Sequence, residues 1–188
     1  MATTADIRNG MMIRFNNDIF QIVEFLHVKP GKGGAFVRTK LKSATTGQVI
    51  EHTYRSGEKL DPVRIERRPF QFLYKEGTEF QFMNTESFEQ IGVGEHVIEG
   101  KEFLEENMVC DFTINADDDQ ILAVELPNFV VLEVAYTEPG VKGDTATNTL
   151  KPATLSTGAQ VKVPLFVDIG EKIRVDTRTK SYMERVKN

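Results

Sequence analysis

Apolar and polar positions along the chain alternate in short bursts, and the period is close to two almost throughout. Phe70, Phe72 and Tyr74 recur at every second residue, and Phe80 and Phe82 answer them across a polar Lys75-Glu76-Gly77 turn. Such alternation puts one row of side chains on one face of a pleated strand, and aromatic pairs across a hairpin reinforce it. The same pattern predicts strands over residues 11–15, 19–28, 36–41, 48–54, 68–74, 78–83, 108–114, 120–125, 129–136, 160–163, 172–175 and 181–186. Asn16-Asn17-Asp18, Thr45-Thr46-Gly47 and Asp117-Asp118-Asp119 read as turns between them. Residues 55–61 and 137–150 read as polar loops. Only residues 95–107 suggest a helix, with Val97, Ile98, Phe103 and Leu104 near helical spacing and Gly100 as a weak point.

Many short strands with frequent turns predict an all-β fold, either a sandwich or small barrels. Charge sharpens the choice. Residues 1–64 carry ten Lys and Arg against six Asp and Glu, residues 65–127 four against fifteen, and residues 128–188 nine against seven. The net charge of −5 is therefore a mildly basic first third (+4) and last third (+2) flanking a strongly acidic middle (−11). These steps favour three small β-barrels, 1–64, 65–127 and 128–188, over a single 188-residue sandwich. An acidic total does not exclude nucleic acid, because phosphate contacts depend on local charge.

Several classes drop out. No apolar run approaches the roughly 18 residues of a membrane span, and the N-terminus has no apolar h-region of a secretory signal. Cys110 is the only cysteine and sits in an apolar run, so it reads as a small buried hydrophobe. Together these features predict a cytoplasmic protein. His27, His52 and His96 lack metal spacing, and the glycines of residues 94–101 do not match a phosphate-binding loop. No catalytic motif, cofactor or metal is expected, and the chain does not read as an enzyme.

One stretch stands apart. Lys29-Pro30-Gly31-Lys32-Gly33-Gly34-Ala35-Phe36 lies between two apolar runs that read as hairpin arms. Pro30 fixes its own φ and extends Lys29. Gly31, Gly33 and Gly34 allow positive φ and close approach of another surface. Lys32 is a lone long cation in that bare loop. It reads either as a probe that reaches into a partner or as an ordinary solvated hairpin tip. Arms of about eight residues would carry it on the order of 25 Å from the barrel.

A second signature lies near the C-terminus: Glu138-Pro139-Gly140-Val141-Lys142-Gly143-Asp144-Thr145, then Lys151-Pro152-Ala153-Thr154-Leu155-Ser156-Thr157-Gly158, then Pro164-Leu165-Phe166-Val167-Asp168-Ile169-Gly170-Glu171-Lys172-Ile173. With the glycine tip, and Phe82-Met83-Asn84 and the following Glu86-Ser87-Phe88-Glu89-Gln90 in the middle, it closely resembles bacterial elongation factor P over essentially the whole chain. Thr147-Asn148-Thr149-Leu150 departs from the glycine-rich form of that loop in many members.

The resemblance implies an SH3-like or KOW-type first domain followed by two OB-folds, arranged as an L resembling tRNA. It implies a monomeric translation elongation factor that binds the 70S ribosome between the P and E sites and relieves polyproline stalls. In that reading Lys32 points at the CCA end of the P-site peptidyl-tRNA from the tip Pro30, Gly31, Gly33 and Gly34, and is a substrate for a lysine-modifying enzyme. The loop Gly143-Asp144-Thr145 faces the E-site codon, and Tyr182 and Arg185 lie on the anticodon-stem side. Two rivals are an elongation factor P-like paralogue and a generic OB-fold RNA binder. The latter needs aromatics beside a basic groove, whereas the aromatics of residues 70–82 fall in the acidic third.

Overall fold

A computed structural model describes residues 2–140 and 149–186. Among these there is no α-helix, only three single 3-10 turns at Thr4–Asp6, Glu95–Val97 and Lys101–Phe103. The strands in chain order are β1 (Ala2–Thr3), β2 (Met12–Phe15), β3 (Asp18–Val28), β4 (Phe36–Ser43), β5 (Val49–Arg55), β6 (Lys59–Leu60), β7 (Ile65–Glu76), β8 (Glu79–Asn84), β9 (Gln90–Gly94), β10 (Ile98–Glu99), β11 (Val109–Asn115), β12 (Ile121–Glu125), β13 (Phe129–Thr137), β14 (Leu150–Leu155), β15 (Gln160–Pro164), β16 (Lys172–Asp176) and β17 (Ser181–Val186). Each predicted strand is present, with ends shifted by a few residues.

The chain forms two compact units, one of Met1–Pro69, Val93–Ile98 and Phe112–Val124, the other of Phe70–Gly92, Glu99–Asp111 and Glu125–Asn188. In the first, β2-β3-β4-β5 form an antiparallel meander and β1 pairs with β6. Asn16 (φ 49°) and Asn17 (φ 61°) make the two-residue turn between β2 and β3. Both φ values are positive, as a type I′ hairpin requires, and asparagine tolerates that region better than most residues. Alternate residues of these strands meet in a core of Ile13, Phe20, Ile22, Val37, Leu41 and Tyr54.

Asp18 joins the first hairpin to the β4–β5 turn. It accepts from the Ser43 hydroxyl at 2.6 Å, the Thr45 hydroxyl at 2.7 Å and its neighbour Ile19 N–H at 2.8 Å. Ser43 Oγ in turn accepts from the N–H of Thr45 and Thr46. Short polar side chains thus supply the turn with the bonds that its backbone lacks.

In the second unit β13 alternates buried Val130, Leu132 and Val134 with exposed Phe129, Val131 and Glu133. It sits at the centre of a five-stranded sheet ordered β15-β14-β13-β16-β17. Strand β14 carries Pro152, which normally argues against a central strand because it has no N–H to donate. Its pairing with β13 runs from Leu155 only as far as Ala153, and the Pro152 carbonyl accepts from the Thr137 hydroxyl at 2.9 Å. The sequence pattern predicts no strand over these residues.

Three other expectations are corrected. Residues 95–107 are not a helix. Gly100 at φ +73° turns the chain between β10 and the Lys101–Phe103 turn, and Val97, Ile98, Phe103 and Leu104 are all buried without an α-helix. Tyr74 does not continue the buried row of Phe70 and Phe72. A bulge between Phe72 and Tyr74 shifts the β7–β8 register and leaves Tyr74 exposed, while Phe72 packs 5.3 Å from Phe82. The hairpin of β3 and β4 is not a long free arm. β5 pairs with β4 along its whole length, from Lys42↔Val49 to Phe36↔Arg55.

The Asp18 cluster predicts an acid response. Burial opposes ionisation of Asp18, but the bonds from Ser43, Thr45 and Ile19 together outweigh it and hold the carboxyl below its ordinary 3.8. A depressed folded value stabilises the fold above the unfolded value, and that stability is lost as pH falls through the folded one. Asp18→Asn should therefore lower stability near neutrality by about 1 kcal/mol, discounted for screening at a part-exposed carboxylate. It should also remove part of the loss seen in the wild type below pH 4. Urea titrations at pH 7 and pH 3 measure both, and equal losses from variant and wild type on acidification would contradict the assignment.

Candidate functional site

The tip is built from residues with almost no ties of their own. From Lys29 to Gly34 every residue is exposed. Lys32 makes no ion pair or hydrogen bond among the described residues. Beneath it the support is dense. Val28↔Phe36 is the last β3–β4 pair, Phe36 also pairs with Arg55, and the Ser56 N–H donates to the Ala35 carbonyl at 2.9 Å. Val37, one residue inside β4, is only 1% exposed. The loop therefore leaves directly from the core, and its own seven residues, out and back, reach roughly 10 Å. Projection comes from the bare loop and not from long arms.

The three glycines have different roles. Gly33 lies at φ +115°, a conformation that other residues adopt rarely and under strain. Gly31 and Gly34 have ordinary φ, and a Cβ on either would meet nothing within 4 Å. The free fold does not need glycine at those two positions. Close approach by another surface would.

The face of β3-β4-β5 below the tip carries ladders of charge. Leu26, Arg38 and Thr53 form one row, and Glu24, Lys40 and Glu51 the next. Lys40 Nζ lies 2.6 Å from Glu24, which raises its pKa. The Arg38 guanidinium stands 5.6 Å from the Phe36 ring centre. A cleft of about 290 Å³ on this face is small for a ligand pocket.

The C-terminal residues occupy β17. Tyr182 pairs with Val175 and is half-buried, and burial raises its pKa. Arg185 donates to Glu171 at 2.9 Å, and its guanidinium lies 5.4 Å from the Phe166 ring centre. It is exposed, and the remaining N–H groups of its fork face no described acceptor. The turn that leads into β17 is rigid. Asp176 accepts from Arg178 N, Nε and Nη2 and from Thr179 N, and the Arg178 guanidinium beside it holds the carboxyl down to about 2. Gly143, Asp144 and Thr145 lie outside the described residues.

Reactive chemistry is not assembled among the described residues. Cys110 is buried, and desolvation, with Asp111 beside it, pushes its thiol up to about 12. Among the described residues, no group of three His, Cys, Asp or Glu could hold a metal ion, and no helix is long and apolar enough to cross a membrane. The arrangement can position a cation and present charged faces.

Three family profiles match in order: the elongation factor P KOW-like domain over residues 3–60, its OB domain over 65–124, and its C-terminal domain over 130–185. The chain is 56% identical over 187 residues to elongation factor P of Flavobacterium johnsoniae, with all of both chains covered. It is 55% identical over 187 residues to that of Amoebophilus asiaticus, covering all of this chain and 98% of the relative. The factor of Chloroflexus aggregans is 53% identical over 185 residues, covering 98% of each. Among solved structures, eukaryotic translation initiation factor 5A from Methanococcus jannaschii matches with a TM-score of 0.50 and 23% identity, over 65% of this chain and 92% of that one. That last likeness is one of fold.

The glycine analysis predicts a split. Gly33→Ala should destabilise the protein by about 1 kcal/mol through its backbone conformation. Gly31→Ala and Gly34→Ala should leave stability unchanged or raise it by about 0.4–1 kcal/mol by narrowing the unfolded ensemble. Chemical denaturation of the three variants measures this. Equal losses at all three positions would mean that the fold itself demands each glycine.

Proposed function

The chain belongs to the elongation factor P family of translation factors, and from that premise we propose that it binds the ribosome between the P and E sites and speeds peptide-bond formation at polyproline stalls. The observation that carries the proposal is the tip: one lysine, Lys32, with no partner among the described residues, on a glycine-bare loop whose base is paired on both sides and packed on the core. Pro30, Gly31, Lys32, Gly33 and Gly34 enter the space beside the CCA end of the peptidyl-tRNA. There the ammonium acts as a flexible multi-donor point charge among phosphates and 2′-hydroxyls.

No bond to the factor need form. Peptidyl-prolyl-tRNA reacts slowly when its groups are poorly placed, and restraining one reactant can recover a large part of the barrier. A rigid base and a bare tip suit that task, because little freedom is left to lose except in the lysine side chain. Gly31 and Gly34, which the free fold does not require, let the loop back approach the tRNA closely.

Three domains divide the work in this reading: residues 1–64 present the tip, 65–127 form the first OB-fold, and 128–188 the second. The segment Gly143-Asp144-Thr145 faces the E-site codon. Tyr182 and Arg185 lie toward the anticodon stem, where the exposed guanidinium offers its free N–H groups to phosphate. Lys32 is also the residue enlarged by a modifying enzyme. An intact mass above the sequence mass, mapped to the tip peptide, is the expected sign of this.

Lys32→Ala should change stability by less than about 0.5 kcal/mol, since it removes an exposed side chain without partners. It should abolish most of the acceleration of polyproline synthesis in a reconstituted translation system. Lys32→Arg should fail as well, because the planar fork does not replace a compact ammonium at the end of a thin stem. Full acceleration by the alanine variant would overturn the assignment of Lys32.

A further inference from the structure

Phe88, in the turn between β8 and β9, has a backbone conformation that its side chain disfavours and an exposure that the chain itself does not explain. It stands at φ +62°, in the left-handed region that bulky side chains avoid. Of the six described non-glycine residues with positive φ, four are Asn or Asp, one is Lys180, and Phe88 is the single aromatic. The turn enforces this. Phe88 N–H donates to the Asn84 carbonyl at 3.0 Å, and Asn84 N–H to the Glu89 carbonyl at 2.9 Å. Asn84 Oδ1 accepts from Glu86 N–H at 2.8 Å and Ser87 N–H at 3.1 Å. Glycine or asparagine would suit the position better.

Packing does not account for the ring either. Phe88 is 70% exposed, more than any other large hydrophobic residue described. The exposed rings of Phe129 and Phe166 each lie beside a guanidinium, that of Arg178 at 5.3 Å and of Arg185 at 5.4 Å. No such cation accompanies Phe88 among the described residues.

Its neighbours define what would cover it. Glu86 and Glu89 lie two residues before it and one after it in the chain and are exposed, within the stretch 65–127 whose net charge is −11. Exposed carboxylates so near in the chain repel a nucleic-acid backbone, which opposes base stacking on the ring. They suit a surface rich in Lys and Arg. We propose that Phe88 anchors the chain to a basic protein of the ribosome, its ring in an apolar socket and Glu86 and Glu89 against a cationic rim. A single aromatic in a socket concentrates affinity in this way. A ring carried by a turn already closed by hydrogen bonds loses little freedom on docking. The identity of the particle rests on the ribosome reading above.

The test uses the full chain and 70S ribosomes carrying P-site tRNA, with binding measured by sedimentation. Phe88→Gly should leave the melting temperature unchanged or raise it by about 2–4 °C, yet weaken binding about tenfold. Glu86→Lys with Glu89→Lys should weaken binding more at low salt than at high salt. A benzophenone amino acid at position 88 should crosslink to a protein. Wild-type binding by Phe88→Gly, or a crosslink to ribosomal RNA alone, overturns the anchor. So does a lowered melting temperature with binding lost in step, which would make Phe88 a structural residue. Failure of the wild-type chain to bind would instead overturn the ribosome reading, and the anchor with it.

Discussion

A functional group on a loop without side-chain anchors is only as well placed as the strands below it, and the rest of the first unit follows from that constraint. β4 is hydrogen-bonded on both sides up to Phe36, and Val37 beneath it is sealed in the core with Ile22, Leu41 and Tyr54. Ser56 holds Ala35 by its carbonyl. Full exposure begins only at Lys29 and ends at Gly34. A longer two-stranded arm would project further but would bend, since an isolated hairpin is marginally stable in water. Three paired strands give up reach and gain a fixed direction.

The chemistry of the molecule is consistent with positioning. Its one thiol is buried and held protonated, and its charged groups on the sheet face below the tip are partly tied to one another, as Lys40 is to Glu24. Lys32 and Arg185 differ in kind. Lys32 is a bare ammonium with no described partner, whereas Arg185 is oriented by Glu171 and Phe166 before any partner arrives. A flexible donor suits a moving substrate end, and a pre-oriented fork suits a fixed backbone phosphate.

Legibility varied along the chain for identifiable reasons. Period-two alternation located β13 and the β7–β8 hairpin, because a half-buried strand must present apolar residues to one side. It misplaced Tyr74, because a single-residue bulge inverts every later position and leaves no mark in composition. It did not assign β14, where Pro152 lies just past the end of the pairing with β13 and opposite Lys162 of β15. Residues 95–107 looked helical because Val97, Ile98, Phe103 and Leu104 are all buried, but they are buried from two short turns on either side of Gly100. The acidic turn holding Phe88 entered only as part of the Glu86-Ser87-Phe88-Glu89-Gln90 motif, with no role attached to the ring. An exposed aromatic is ordinary in a sequence and becomes informative only once its φ is known.

By itself the sequence determined the all-β class, the strands with clean alternation, the glycine tip with Lys32, and the family. These depend on local pattern and on motifs, which one dimension records. The tertiary structure alone decided that the tip stands on a braced three-stranded base, that Gly33 is required by the fold while Gly31 and Gly34 are not, and that Arg185 is held by Glu171 against Phe166. Each of these depends on a partner strand or a backbone angle set by residues distant in the chain. Pairing of that kind has no local period from which it could be read.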